Sequence, residues 1–256
     1  MKSPEPKTLI LDIESSLDIL AAYGLGEQYH RPENIIQDWF VICFAWKWLG
    51  GKRIYDYSII DDVKRWVNDH SDDYSVVKRM HEVLSDCEVM VGHNIANFDW
   101  KKFMARVIYH GLPPIDRPLA VDTLKEARKI AKFTSNKMSY LAKHLKIENK
   151  LQHSGDMWLR ILQGDAKAVK EAVAYCRGDI VTTEALYLKL RPYMRDLPHM
   201  GIHRADGIDS CRNCGSDHLQ ARGSALTKTA KYHRFQCLDC GAWMQGKKAI
   251  KRVNIR

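Results

Sequence analysis

Short apolar runs alternate with longer amphipathic segments along most of the chain, and that rhythm predicts strands and helices. Thr8 to Ile13 reads TLILDI, continuous enough for a strand buried on both faces. A polar, glycine-containing stretch follows, from Ser15 to about Asp38. Phe40 to Trp48 (FVICFAWKW) and Arg53 to Ile60 (RIYDYSII) are rich in β-formers, and Gly50-Gly51 between them marks a hairpin. Val76 to Leu84 has helical spacing, Glu88 to Val91 suits a short strand, Phe98 to Tyr109 a helix, and Leu119 to Val121 another short strand. Thr123-Leu-Lys-Glu126 has the form of a capping box, and from there to Tyr193 the pattern is mostly helical. Pro192, Pro198 and two glycines then mark a boundary near residues 196–210. A hairpin of strands first, then strands alternating with helices, predicts a mixed α/β sheet covered by helices.

Composition narrows the class. Of 256 residues, 45% are hydrophobic and 28% charged, which excludes disorder over most of the chain. The longest unbroken apolar run, Phe40 to Trp46, falls far short of the ~20 residues a membrane helix needs. The start, MKSPEPK, has no apolar region behind its basic residues and predicts no secretory signal. The expected location is the cytoplasm, of a bacterium or a phage-infected host cell.

Charge is placed unevenly. The net charge is +9, yet residues 201–256 hold 11 Lys+Arg against four Asp+Glu. A basic module beside a nearly neutral body points to a polyanionic partner, with a solvated basic tail as the alternative. Three of the seven cysteines, Cys43, Cys87 and Cys176, stand singly in apolar surroundings and read as small core residues. The other four form two pairs, Cys211-x₂-Cys214 and Cys237-x₂-Cys240, with 22 residues between them. Each pair is followed by a glycine, Gly215 or Gly241, which permits the tight turn that aims two thiolates at one metal. Four thiolates favour a closed, structural Zn²⁺ site over a redox pair.

Three acidic motifs remain. The first strand ends in Asp12-Ile13-Glu14, whose two carboxylates share one face. Like charges so close repel, and a cation between them would remove the conflict. His93-Asn-Ile-Ala-Asn-Phe-Asp99 follows a strand and opens a helix. Tyr175 and Asp179, four apart, share a helical face. Each motif alone has an ordinary structural explanation: a chance pair, a cap, a helix surface. Asp122, which also ends a strand, reads as a capping residue rather than a ligand.

In order and together, these motifs resemble the DEDD superfamily of 3′–5′ exonucleases in its tyrosine variant. The similarity is to family-B DNA polymerase proofreading domains and to stand-alone phage-type exonucleases, and it covers about residues 8–194. It implies an RNase H-like mixed sheet flanked by helices in residues 1–196. It further implies that Asp12, Glu14, Asp99 and Asp179 bind two Mg²⁺ or Mn²⁺ ions, with Asp12 bridging. Oxygen ligands suit such hard cations, and a two-metal site activates water on one side of a phosphate and stabilises the leaving 3′ oxygen on the other. Tyr175, with an ordinary phenol pKa of ~10, would orient that water rather than deprotonate it. The product would be a nucleoside 5′-monophosphate.

Ser15, Asn94, Phe98 and Lys137 are candidate substrate contacts, with His153 a further loop residue able to approach phosphate. Residues 205–256 resemble zinc ribbons, and their basic residues suit phosphate contacts that position a strand without reading sequence. The expected activity is therefore metal-dependent 3′–5′ exonuclease action on single-stranded ends, DNA before RNA. The competing readings are a non-catalytic nucleic-acid-binding protein with a nuclease-like fold and an RNase H-like transposase or endonuclease.

Overall fold

The computed structural model describes residues 6–22, 24, 29–147, 155–204 and 208–253. The apolar run at the start of the chain forms β1 (Thr8–Ser15). The polar stretch after it holds two short strands the pattern did not predict, β2 (Ile19–Leu20) and β3 (Ile35–Gln37), paired with each other. The hairpin is β4 (Val41–Trp48) and β5 (Tyr55–Ser58). β5 stops earlier than its β-former run because Ser58 and Asp61 make a reciprocal capping box that starts a 3₁₀ turn.

Helix α1 (Val63–Asn68) and helix α2 (Tyr74–Ser85) follow, then β6 (Val89–Gly92), α3 (Asp99–Tyr109) and β7 (Leu119–Asp122). The helical remainder divides into α4 (Thr123–Ile130), α5 (Met138–His144), α6 (Met157–Leu162) and the long α7 (Ala166–Leu190). The capping-box expectation at Thr123 is corrected by the structure. Asp122, not Thr123, caps α4, accepting from the N–H groups of Leu124 and Lys125. The Thr123 hydroxyl instead donates to the Gly92 carbonyl and ties α4 to β6.

The central sheet has five strands in the order β5-β4-β1-β6-β7. β1 runs antiparallel to β4 and parallel to β6, and β6 runs parallel to β7. This is a mixed sheet flanked by helices, the arrangement the resemblance implies. β1 lies in the middle, so Leu9, Ile10 and Leu11 are all buried whichever face they point to. Alternation along β4 assigns the layers. Lys47 pairs with Glu184 on α7, whereas Trp46 lies under Arg79 of α2. Helix α7 thus covers the face on which Cys43 and Lys47 point, and α2 with α3 covers the other.

A buried ion network clamps the second layer. Asp73, fully buried, accepts from Arg106 on α3, from His110 just beyond that helix and from the N–H of Val41 on β4. Such a charge is tolerable because both carboxylate oxygens are answered by donors.

The C-terminal segment forms a separate three-stranded antiparallel sheet, β8 (Leu219–Leu226), β9 (Ala230–Cys237) and β10 (Trp243–Arg252), with β9 central. It has almost no apolar core, only Cys211, Cys237 and Ala242 with a few half-buried neighbours. Asn213 ties it to the first sheet's layers by donating to the carbonyls of Arg191 and Met194, beyond the end of α7. Among the described residues, no helix is long and apolar enough to cross a membrane.

Candidate active site and cysteine cluster

β1 carries Asp12 and Glu14 out of the core on the face that α7 covers. The alternation that buries Leu11 and Ile13 leaves both acids half-buried. One carboxylate oxygen from each and the Cys176 sulfur lie within 4.8 Å of one another, a grouping able to hold a metal ion. The Cys176 thiol donates to the Asp12 carbonyl oxygen at 3.3 Å and to Oδ2 at 3.4 Å.

Asp99 arrives from the other side of β1. β6 ends at Gly92, where a Cβ would stand 3.0 Å from the Leu11 carbonyl and closer still to Ile95. Only glycine allows the chain to turn so closely against β1 and Ile95. Asn94 then takes a left-handed backbone (φ 70°), which asparagine tolerates better than most residues. Its N–H donates to Asp122 Oδ1 at 3.0 Å. This turn opens α3 at Asp99, which is 3% exposed and accepts from the Ile13 N–H at 3.2 Å. Asp179, 4% exposed, comes from the middle of α7, one turn after the half-buried Tyr175.

Asp99 and Asp179 are not part of that close grouping, and their link to Asp12 is through charge. Burial pushes the Asp12 carboxyl well above the usual range, and the charges of Glu14, Asp99 and Asp179 push it the same way. Asp99 is raised to about 7, by burial first and by the charge of Asp122, against the pull of its backbone hydrogen bonds. A cluster that resists its own ionisation is short of positive charge. Hard divalent cations fit that deficit and that set of oxygen donors.

Cys176 is a neighbour of these acids that the sequence did not reveal. It reads as a core cysteine and is indeed fully buried, but it is aimed at Asp12. Burial, a hydrogen bond with Cys43 and the Asp12 charge raise its thiol, which keeps it a neutral donor. Its spacing of three from Asp179 was the available signal, since i and i+3 share a helical face.

The candidate substrate contacts separate. Ser15 accepts from Lys102 Nζ at 2.8 Å, and Phe98, 40% exposed, lies beside the same ammonium. Asn94 shapes the loop through its backbone. Lys137 is exposed at the start of α5, and its backbone N–H donates to Ser135 Oγ. His153 lies outside the described residues.

In the C-terminal segment all four sulfurs lie within 4.8 Å of one another. Cys211 and Cys240 are 3.6 Å apart, as are Cys214 and Cys237. A tetrahedron of ~2.3 Å Zn–S bonds has edges of about 3.8 Å, so the donor set fits zinc. Gly215 and Gly241, both with left-handed backbones, return their N–H groups to the Cys211 and Cys237 carbonyls and close two matching knuckles.

Residues 47–191 match the family model of the RNase H superfamily. The fold is similar to that of the family B DNA polymerase from the hyperthermophilic archaeon Pyrobaculum calidifontis, with a TM-score of 0.54 and 18% sequence identity. That likeness covers 74% of this chain and 25% of the polymerase. No curated protein matches the chain in sequence.

Proposed function

The chain belongs to the RNase H superfamily, and on that premise we propose that it is a two-metal-ion 3′–5′ exonuclease of the tyrosine DEDD type. The substrate is the 3′ end of single-stranded nucleic acid, DNA before RNA, and the product a nucleoside 5′-monophosphate. The observation that carries the reading is the convergence of charge on Asp12, where Glu14, Asp99 and Asp179 all oppose its ionisation from separate elements. Folding would gain nothing from that conflict, whereas cation binding resolves it.

Asp12, Glu14, Asp99 and Asp179 would hold two Mg²⁺ or Mn²⁺ ions. When bound, these cations supply activation of the attacking water and neutralise charge on the leaving 3′ oxygen. The protein's own groups do the rest. Tyr175, one turn from Asp179, orients the water through its hydroxyl. Asp99 fixes the edge of β1 through the Ile13 N–H. Cys176 holds the Asp12 carboxylate in one orientation.

Residues 205–256 form a zinc ribbon in this reading, separate from the exonuclease domain of residues 1–196. Its four cysteines bind one structural Zn²⁺. Arg222, Lys231, Arg234, Lys247 and Lys248 lie on its sheet, and the Arg234 guanidinium stacks on the half-exposed Trp243 ring. Cationic side chains interleaved with an aromatic face suit a flexible nucleic-acid strand.

The test is digestion of 5′-labelled DNA and RNA oligomers with Mg²⁺, Mn²⁺ or chelator. The proposal expects a ladder shortening from the 3′ end in either metal and none with chelator. Cleavage of a circular single strand would instead indicate an endonuclease or transposase-like activity, and no hydrolysis in either metal would indicate a binding protein.

A further inference from the structure

Lys102 lies on α3, three residues after Asp99, and so on the same face of that helix. Its ammonium rests over the Trp39 ring at 3.9 Å and 5.2 Å from the Phe98 ring. One N–H is donated to Ser15 Oγ at 2.8 Å, and Ser15 directly follows Glu14 on β1. An ammonium has three donors and no acceptor, so two remain after Ser15 is served. No carboxylate among the described residues forms a salt bridge with it. Burial pushes its pKa below the ordinary lysine value, and Asp18 opposes this only in part.

A half-buried cation with aromatic faces on two sides and spare donors is costly unless an anion completes it. The fixed position excludes a freely solvated side chain. On both strand and helix its anchors are next to the acids of the candidate active site. The anion that reaches this place repeatedly, if the exonuclease reading holds, is a phosphate of the strand being degraded.

Resting on that reading, we propose that Lys102, held by Trp39, Phe98 and Ser15, binds a backbone phosphate of the 3′-terminal nucleotides and keeps the strand seated against the four carboxylates. The pairing makes the site's recognition of a polyanion local. Four acids repel phosphates when metals are absent, and one fixed cation beside them offsets part of that repulsion. The Phe98 ring, exposed at its outer part, presents a face to the terminal base in the same subsite.

The experiment is steady-state hydrolysis of a 5′-labelled oligothymidylate by the full chain, in saturating Mn²⁺ and over a range of KCl. Lys102→Met should raise KM about tenfold at low salt with kcat changed less than threefold. The slope of log KM against log salt should fall by about 0.7, as expected when a single strand has one phosphate fewer neutralised by the protein. Lys102→Arg should restore both slope and KM, because it keeps the charge. Ser15→Ala, a smaller change, should raise KM in the same direction and guards against a misfolded Lys102→Met. An unchanged salt slope in Lys102→Met with wild-type melting overturns the proposal, as does a fall confined to kcat. Absence of hydrolysis by the wild type overturns the exonuclease reading itself, a separate outcome.

Discussion

The Cys176 thiol is directed at Asp12, 3.4 Å from Oδ2 and 3.3 Å from the main-chain oxygen, and this contact joins helix α7 to strand β1 at an acid whose ionisation three other carboxylates oppose. A neutral donor on one carboxylate oxygen fixes the rotation of that group and leaves its other oxygen for a cation. Outer contacts of this kind typically change metal affinity or activity by about 10–100-fold when removed. Cys176→Ala should therefore weaken the apparent Mn²⁺ affinity by about tenfold or more, read from the Mn²⁺ dependence of hydrolysis or from calorimetry. Cys176→Ser, which keeps a donor, should lose less. Equal Mn²⁺ affinity in all three proteins would show that the thiol only fills space.

Asp179→Asn removes a charge from the field around Asp12 without changing the shape of α7. Hydrolysis should fall at least about 100-fold. Binding of a single-stranded oligomer, measured by fluorescence anisotropy, should stay within a few-fold of wild type. Retained hydrolysis would remove Asp179 from the proposed metal site.

Asp99 makes metal-free stability depend on pH in a defined direction. Its folded pKa of about 7 lies above its ordinary value of 3.8. The stability that its protonated form contributes is fully present below the ordinary value and is lost as pH rises through about 7. Zinc-replete protein free of Mg²⁺ and Mn²⁺ should thus melt at a lower temperature at pH 7.5 than at pH 5. Asp99→Asn should flatten that difference. Mn²⁺ in hundredfold excess over its Kd should restore about 2.7 kcal/mol of stability by linkage. A melting temperature that rises from pH 5 to pH 7.5 in the metal-free wild type, and equally in Asp99→Asn, would contradict the burial of this charge.

The sequence was legible where one physical requirement dominated. β1, β4 and β6 are apolar runs buried on both faces, and length and composition alone identify them. Asp12 and Glu14 stood out because two carboxylates at the end of a buried strand conflict with folding, whereas Asp99 and Asp179, on helices, stood out only through the order of the three motifs and the resemblance that order carries. Short elements were not legible. β2 and β3 pair over two or three residues, and α1 is six residues long, too little for a period to emerge. The box pattern at Thr123 fitted α4, but Asp122 stands one residue earlier with a stronger acceptor. Lys102 and Cys176 escape a sequence reading for a common reason. A lysine in an amphipathic helix reads as solvated and a single cysteine as core, and only tertiary contact shows that both point toward β1 residues at or beside the acids.

The three strands β8, β9 and β10 bury little beyond sulfur, so apolar burial supplies little to fold them. Without metal the thiols are hard to ionise: burial first raises Cys240 to about 11, and the hydrogen bond with Cys211, then burial, raises Cys214. Zinc binding must therefore release protons, and zinc affinity should increase with pH. One zinc per chain should be found by metal analysis and lost in Cys237→Ser. In that variant, or after exhaustive chelation, amide hydrogen exchange should rise throughout β8–β10 while β1, β4 and β6 remain protected. The change should reach the end of α7, because Asn213 would release the carbonyls of Arg191 and Met194. Protection of β8–β10 that survives metal loss would mean that hydrogen bonding and the few buried side chains suffice, and that the four sulfurs do not hold the segment together.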